Sequence, residues 1–380
     1  MVSINLEMII KDEYLRENKE IIKKIYDKLA DAKSKEMYEA ALNFIATRDY
    51  SYLIKIHELN SIKSDQTILQ QDKYCKLHAE GKKIIFYGLG ERTETMVQLW
   101  KKYHSYMGYE FAPFITDIPV TWFCDKNYKE YQDGYLGKIV LSPDDLEKYK
   151  DEIIIINTKV YFDEIRNELL KKGFREDHIF FQEYSNSEVY EERQYFEQFM
   201  KSDHETMFVD AGCYDGKTTH TFVEWQSDYA SITAFEPDKA NFTVCQQNMK
   251  NIKHVNLINA GVGIKNEKRV FSASADQASH IDDKGSEVVD IVKLDDVIGT
   301  RSVSFIKMDV EGAELEALMG GSQSITTNLP KLAISAYHKR YDLIDIPKYI
   351  LQLSEKYNFY LRIYSNNWQE WVLYAIAEQD

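Results

Sequence analysis

Proline and glycine are scarce in this chain of 380 residues, with 6 Pro and 16 Gly. Neither occurs before Gly81, so only Ser, Asn and Asp punctuate the opening segment. Cysteine is scarcer still. Cys75, Cys124, Cys213 and Cys245 are widely separated and form no C-x-x-C pair. That fits a reducing, cytoplasmic compartment and no structural zinc. No apolar run approaches membrane-spanning length. The apolar stretch from Ile4 to Ile10 is short and followed by mixed charge, which is not a signal peptide. Basic residues are in deficit: 47 Lys and Arg against 62 Asp and Glu give a net charge of −15. A general nucleic-acid binder needs a basic footprint, so that class is set aside, and anionic membrane surfaces are disfavoured for the same reason.

What is present supports proper cores. The hydrophobic content is 44%, and the length suffices for two or three domains. The 27 tyrosines are read as compositional bias of the source rather than a ligand surface. Residues 1–80 read as a helical N-terminal segment: Ile21, Ile22, Ile25, Tyr26 and Leu29 keep helical spacing, as do Tyr38, Ala41, Leu42, Phe44 and Ile45. Such helices serve equally as a cap on the next domain or as an arm joining two copies of the chain, a homo-oligomer.

Residues 81–185 read as a small Rossmann-like α/β domain. Strands are expected at Lys83–Tyr87, Val120–Asp125, Ile139–Leu141, Ile153–Ile156 and His178–Phe181. A helix is expected from the Gly88 turn to about Tyr103, one starting at Ser142-Pro143, and one from Phe162 to Lys172 stopping at Gly173. Gly88-Leu89-Gly90 is a weak dinucleotide signal. Thr93 stands where a third glycine is preferred, and Asp125 is 37 residues past Gly88 unless Gly108 to Pro119 is an insertion. The turn is read as structural, with NAD or nucleotide-sugar binding as the alternative. Residues 82–182 resemble the small Rossmann-like domains that accompany sugar-modifying enzymes.

Residues 186–380 form a second α/β pattern. Glu183 to Glu205 reads as a linker and first helix, with Tyr190, Tyr195, Phe196 and Phe199 taken as packing. Strands follow at Phe208-Val209, Ile232–Phe235, Val255–Asn259, Ser304–Met308, Leu332–Ser335, Tyr360–Tyr364 and Trp371–Ile376. In a doubly wound sheet the polar residues after such strands, Asp210, Glu236, Asn259, Asp309 and His338, converge on one crevice. After the first of them comes Asp210-Ala211-Gly212-Cys213-Tyr214-Asp215-Gly216. NAD sites prefer G-x-G-x-x-G for a pyrophosphate. S-adenosylmethionine (SAM) carries no phosphate, and its turn reads roughly D-x-G-x-x-x-G, the form found here. Glu236, 20 residues past Gly216, is placed to take a ribose diol, with a helix N-terminal charge before Pro237 as the plainer role. Asn259 is either a contact to an adenine edge or a turn residue. Asp309 is assigned to the site, and Glu314 to the first turn of a helix, where acids are favoured. His338 is a base, a metal ligand or a simple hydrogen-bonding residue. Asp309 and His338 could pair on a divalent ion, but two ligands do not define a metal site, and no metal is assigned.

The blocks Val209-Asp210-Ala211-Gly212, Asp215-Gly216, Phe235-Glu236-Pro237-Asp238, Ile306-Lys307-Met308-Asp309-Val310-Glu311-Gly312-Ala313-Glu314, Pro330–Ser335 and Tyr337-His338-Lys339 resemble the FkbM family of SAM-dependent methyltransferases. The resemblance spans about 195–380. It implies a class I methyltransferase fold, SAM as cofactor, and methylation of hydroxyl oxygens on sugars or natural products, with a small-molecule or glycan acceptor as partner. On this reading Asp210, Ala211, Gly212, Tyr214, Gly216, Glu236, Pro237, Asn259 and Asp309 hold the cofactor, and His338 with Asp309 carries the chemical step. The competing readings are an oxidoreductase running on the Gly88 turn and a non-catalytic SAM- or nucleotide-binding module of a glycan-assembly complex.

Overall fold

Ile84-Ile85-Phe86 and Ile153–Ile156 are apolar at every position, so both faces of a sheet built from them must be covered. In the computed structural model they are. The structure describes residues 12–91, 93–95, 97, 119–182, 189, 194–202, 206–272, 280–281 and 287–378. Five parallel strands, β1 (Lys83–Tyr87), β2 (Val120–Cys124), β3 (Val140–Leu141), β4 (Ile153–Thr158) and β5 (Ile179–Gln182), stand in the order β3-β2-β1-β4-β5. Alternation divides the side chains between two cores. Ile84, Phe86, Ile154 and Ile156 meet Tyr74 and Phe123; Ile85, Ile153 and Ile155 meet Leu146 and Leu169. The helix Phe162–Lys171 stands where expected. The one expected at Ser142-Pro143 is a short 3-10 helix, Asp145–Tyr149, whose Asp145 N–H donates to Ser142 Oγ at 3.2 Å.

The Gly88 turn is closed by its own neighbours. Thr93 Oγ1 donates to the Gly88 carbonyl at 2.7 Å, and Asp125 Oδ2 accepts the Leu89 N–H at 2.7 Å. Asp125 thus caps the turn. Most of the helix expected to reach Tyr103, almost all of the Gly108–Pro119 stretch, and Tyr190 lie outside the described residues. Fluorescence titration with NAD or NADP is expected to show no saturable binding at micromolar concentration. Saturation that Gly90→Val abolishes would overturn this.

The second α/β unit carries two sheets. Its strands are β6 (Thr206–Ala211), β7 (Tyr229–Phe235), β8 (Val255–Ile258), β9 (Gly261–Gly263), β10 (Glu267–Ser272), β11 (His280–Ile281), β12 (Glu287–Lys293), β13 (Phe305–Met308), β14 (Lys331–Ser335), β15 (Tyr357–Ile363) and β16 (Trp371–Ala377). Seven of them form the main sheet, ordered β15-β16-β14-β13-β6-β7-β8, with β16 antiparallel to both neighbours. This is the class I methyltransferase arrangement. The chain winds outward from β6 through β7 to β8, then returns to β13 on the other side. The crevice of an open α/β sheet lies at such a reversal, here at the ends of β6 and β13. The small sheet, β11-β10-β12-β9, was not expected; its strands alternate rather than run apolar, with Val289 and Ile291 buried and Val270 and Val288 exposed.

The helices expected over residues 1–80 are divided between the two units. One unit holds residues up to Leu42, Val189–Ser365 and Gln369 onward; the other holds Asn43–Glu188 with Asn366–Trp368. In the first, Ile22, Ile25 and Tyr26 of the helix Lys19–Asp27 are buried, and the helix packs on Asp342–Leu353. The segment after it closes the outer edge of β15: Ala30 N–H donates to the Phe359 carbonyl at 2.8 Å and Phe359 N–H to the Lys28 carbonyl at 2.9 Å. The apolar stripe that suggested an arm between copies is therefore covered within the chain. Among the described residues no helix is long and apolar enough to cross a membrane.

Candidate functional site

β6 runs out at Ala211 into a turn that only special backbone angles allow. Gly212, Tyr214 and Gly216 have φ of 80°, 49° and 84°. At Gly212 a Cβ would run into the Asp309 carbonyl, so the missing side chain lets the loops after β6 and β13 touch. Tyr214 holds a left-handed conformation without glycine's freedom, the kind of strain that clusters at functional sites. The helix Lys217–Trp225 starts at once after Gly216.

Glu236, at the tip of β7, braces this turn. Its Oε2 accepts the Tyr214 N–H at 3.0 Å and its Oε1 accepts the Asp238 N–H at 2.9 Å. The side chain is 5% exposed, and burial pushes its pKa up to about 7 against the pull of those two N–H groups. Both oxygens keep a lone pair for a further donor. Asn259 donates its amide to the carbonyls of Glu236 (2.8 Å) and Pro237 (3.1 Å). Its amide nitrogen clamps the turn, the turn role expected of it.

Asp210 is not at the surface of the crevice. It is fully buried, Oδ2 accepting from Thr219 Oγ1 at 2.7 Å and Oδ1 standing 3.1 Å from Lys307 Nζ. The cause is register: Lys307 of β13 lies directly opposite Asp210 of β6. Lys307 Nζ also donates to the Gly212 carbonyl at 2.6 Å and lies 5.2 Å from the centre of the Tyr195 ring. Burial opposes its charge, but Asp210 and Asp309 outweigh burial and hold its pKa above the ordinary lysine value. What Asp210 orders is the turn, through Lys307 and Gly212, while the backbone of Ala211 to Gly216 makes the crevice wall.

Beyond β13 and β14 lies an acidic cluster around one histidine. His338 is 1% exposed, and its Nδ1 is 2.8 Å from Glu314 Oε1. Its Nε2 is 3.6 Å from Asp309 Oδ1 and 3.5 Å from Glu311 Oε2. Glu314 Oε1 also accepts the N–H groups of Val310 (3.0 Å) and Gly312 (3.3 Å). Asp309 Oδ2 accepts from Tyr195 Oη at 3.0 Å, and that hydroxyl is 3.1 Å from Ser335 Oγ. Burial works against a charge on His338, yet Glu314, Glu311 and Asp309 together hold its pKa well above the ordinary value. Glu370 joins from the far side, bonded to Gln194 at 2.5 Å and Tyr337 at 3.2 Å, and burial raises it to about 7.

Residues 210–361 match the model of the methyltransferase FkbM domain, and residues 80–180 that of the C2185-like N-terminal domain. The C-terminal part of this chain is an FkbM-family methyltransferase domain. A 2-O-methyltransferase, NoeI, from Sinorhizobium fredii (strain NBRC 101917 / NGR234) is 25% identical over 144 residues, covering 32% of this chain and 59% of that protein. The chain thus spans less than two thirds of that relative. Among solved structures, methyltransferase FkbM from Methylobacillus flagellatus KT shares the fold with a TM-score of 0.50 and 18% identity, covering 90% of this chain and 99% of that one.

Within the FkbM domain the expected pair, Asp309 and His338, does meet, but His338's hydrogen bond goes to Glu314 instead. Glu314 begins its helix, as its place after β13 implied, and it also turns into the buried cluster. Lys307, Tyr195, Glu311 and Glu370 complete the site, and none of them was assigned a role in it. For Lys307 a signal existed: a lysine inside Phe305-Ile306-Lys307-Met308 needs a buried anion. Tyr195 was grouped with its neighbours as packing. That suits Phe196, which sits in the core, and Phe199, stacked on Tyr360 at 4.3 Å, but the Tyr195 hydroxyl belongs to the cluster.

Proposed function

We propose that this chain is a SAM-dependent methyltransferase acting on a hydroxyl oxygen of a sugar, in a glycan, a nucleotide sugar or a related precursor. The observation that carries the reading is Glu236, buried at the end of β7 with lone pairs left over, beside a glycine turn at the reversal of the sheet. A ribose diol donates two hydrogen bonds and suits that carboxylate. The turn from Ala211 through Gly212 and Tyr214 to Gly216 would lie along the amino-acid part, with Asp210 ordering it from below and Pro237 and Asn259 fixing Glu236. The oxygen acceptor is favoured by the relative named as a 2-O-methyltransferase.

Bound SAM supplies a methyl group on a positively charged sulfur, so no nucleophilic side chain is required. The chain's own task is to hold the acceptor hydroxyl and let it lose its proton as the methyl C–O bond forms and the C–S bond breaks. Asp309 Oδ1 and His338 Nε2 have no hydrogen-bond partner among the described residues. They stand at the ends of adjacent strands, free to take that hydroxyl, with Asp309 also near the cofactor.

Glu236→Ala tests the assignment. Loss of a charged acceptor costs about 1.5–3 kcal/mol, a rise in the Kd for SAM of roughly 10- to 150-fold. Calorimetry showing unchanged affinity would remove the assignment. The pH dependence has a definite sign. The ionised carboxylate accepts from the ribose, and with its pKa raised to about 7 it protonates as pH falls through neutrality. SAM affinity should therefore weaken below about pH 7, and Glu236→Gln should flatten the profile.

A further inference from the structure

The cluster at the ends of β13 and β14 has two buried atoms with nothing to bond. Nε2 of His338 and Oδ1 of Asp309 lack a hydrogen-bond partner among the described residues, although their residues' other polar atoms are engaged. The separations around Nε2, 3.6 Å to Asp309 Oδ1 and 3.5 Å to Glu311 Oε2, are too long for hydrogen bonds. They are the right length for something else. Two ligand atoms each about 2.1 Å from one ion stand about 3.4 Å apart in tetrahedral coordination.

We propose that His338 Nε2, Asp309 and Glu311 form a binding site for one divalent cation, with Glu314 as a positioning residue. Glu314 Oε1 is fixed by the N–H groups of Val310 and Gly312 and faces His338 Nδ1 at 2.8 Å. It therefore accepts the Nδ1 proton, so that an ion binding at Nε2 displaces only the second ring proton and takes the lone pair it leaves, the carboxylate–histidine–metal arrangement in which the outer carboxylate sets the tautomer. Asp309 is held in the same way, its Oδ2 occupied by Tyr195 while Oδ1 stays open. Glu311 is brought round by a left-handed backbone, φ 52°, with Gly312 at φ 90° after it. One imidazole and two carboxylates suit manganese or zinc better than calcium. On the methyl-transfer reading the ion would take the acceptor hydroxyl as a further ligand and ease its deprotonation. That role rests on the reading above, whereas the binding does not.

The test needs neither SAM nor acceptor. The full chain, stripped with chelator, is titrated with Mn²⁺ while free Mn²⁺ is followed by electron paramagnetic resonance. One ion per chain is expected to bind. Asp309→Asn and Glu311→Gln keep shape and are expected to weaken binding at least about tenfold. Glu314→Gln, which leaves all three ligands in place, should weaken it roughly 10- to 100-fold. No saturable binding at millimolar Mn²⁺ would overturn the proposal and leave His338 as the cationic partner of its three acids. Binding that Asp309→Asn and Glu311→Gln leave unchanged would overturn it too, by placing the ion elsewhere. Either failure leaves SAM affinity and its dependence on Glu236 untouched, so the two proposals fail separately.

Discussion

Replacing Lys307 by Met is expected to destabilise the FkbM domain by about 3–5 kcal/mol, the cost of leaving one member of a buried ion pair alone. Lys307 and Asp210 side chains are 1% and 0% exposed and 3.1 Å apart. Methionine fills much the same volume, so the loss is electrostatic rather than a cavity. Asp210 would keep its bond from Thr219 but would have no cation, and the Gly212 carbonyl would lose its 2.6 Å donor. Urea unfolding followed by circular dichroism is the measurement. Because the chain has two α/β units, only the transition of the FkbM domain should move, while that of the five-stranded unit stays put. Adding Asp210→Asn to Lys307→Met should recover much of the loss, since a neutral amide can be buried at lower cost. Wild-type stability in the single variant, or no recovery in the double, would show that the pair does not hold the sheet.

That pair also marks where sequence reading stops. The strands were legible because each is a short apolar run between turn residues, and the glycine turn because Gly212 and Gly216 flank a helix start. The acids after the strands were legible as a set, since strand ends meet in a doubly wound sheet. Which of them face the crevice was not. Asp210 looks like the first crevice residue until the register of β6 on β13 sets it opposite Lys307. Glu314 has an ordinary explanation as a helix-opening acid, and only the fold reveals that it also points at His338. Asn259 follows its strand as a ligand-binding residue might, yet its amide satisfies two carbonyls that the tight turn would leave unbonded. The sheet formed by β9 to β12 stayed hidden because β9 is three residues with two glycines and β10 to β12 mix polar with apolar residues. These features share a cause: pairing over long sequence separations decides them, and no local pattern records it.

The second large effect concerns turnover. His338→Ala is expected to lower kcat at saturating SAM and acceptor by roughly 10²–10⁴-fold, the range for losing a group that handles the transferred proton. SAM affinity should hardly change, because the Glu236 turn follows β6 and β7 while His338 follows β14. One confounding effect must be separated from this. His338 is buried against Glu314 at 2.8 Å, and alanine would strand that carboxylate and cost stability in its own right. His338→Gln supplies the control, since a glutamine amide can still donate to Glu314. If the Gln variant melts like the wild type and turnover is still lost, the role lies in the reaction rather than in packing. Chelator then distinguishes the two chemical roles. Should a stripped wild-type protein lose turnover and recover it with added Mn²⁺, the histidine acts as a ligand. Should it turn over at full rate without metal, Nε2 itself handles the acceptor proton. Near wild-type turnover in both His338 variants would remove this residue from the chemistry and leave positioning at the Glu236 turn as the main source of catalysis.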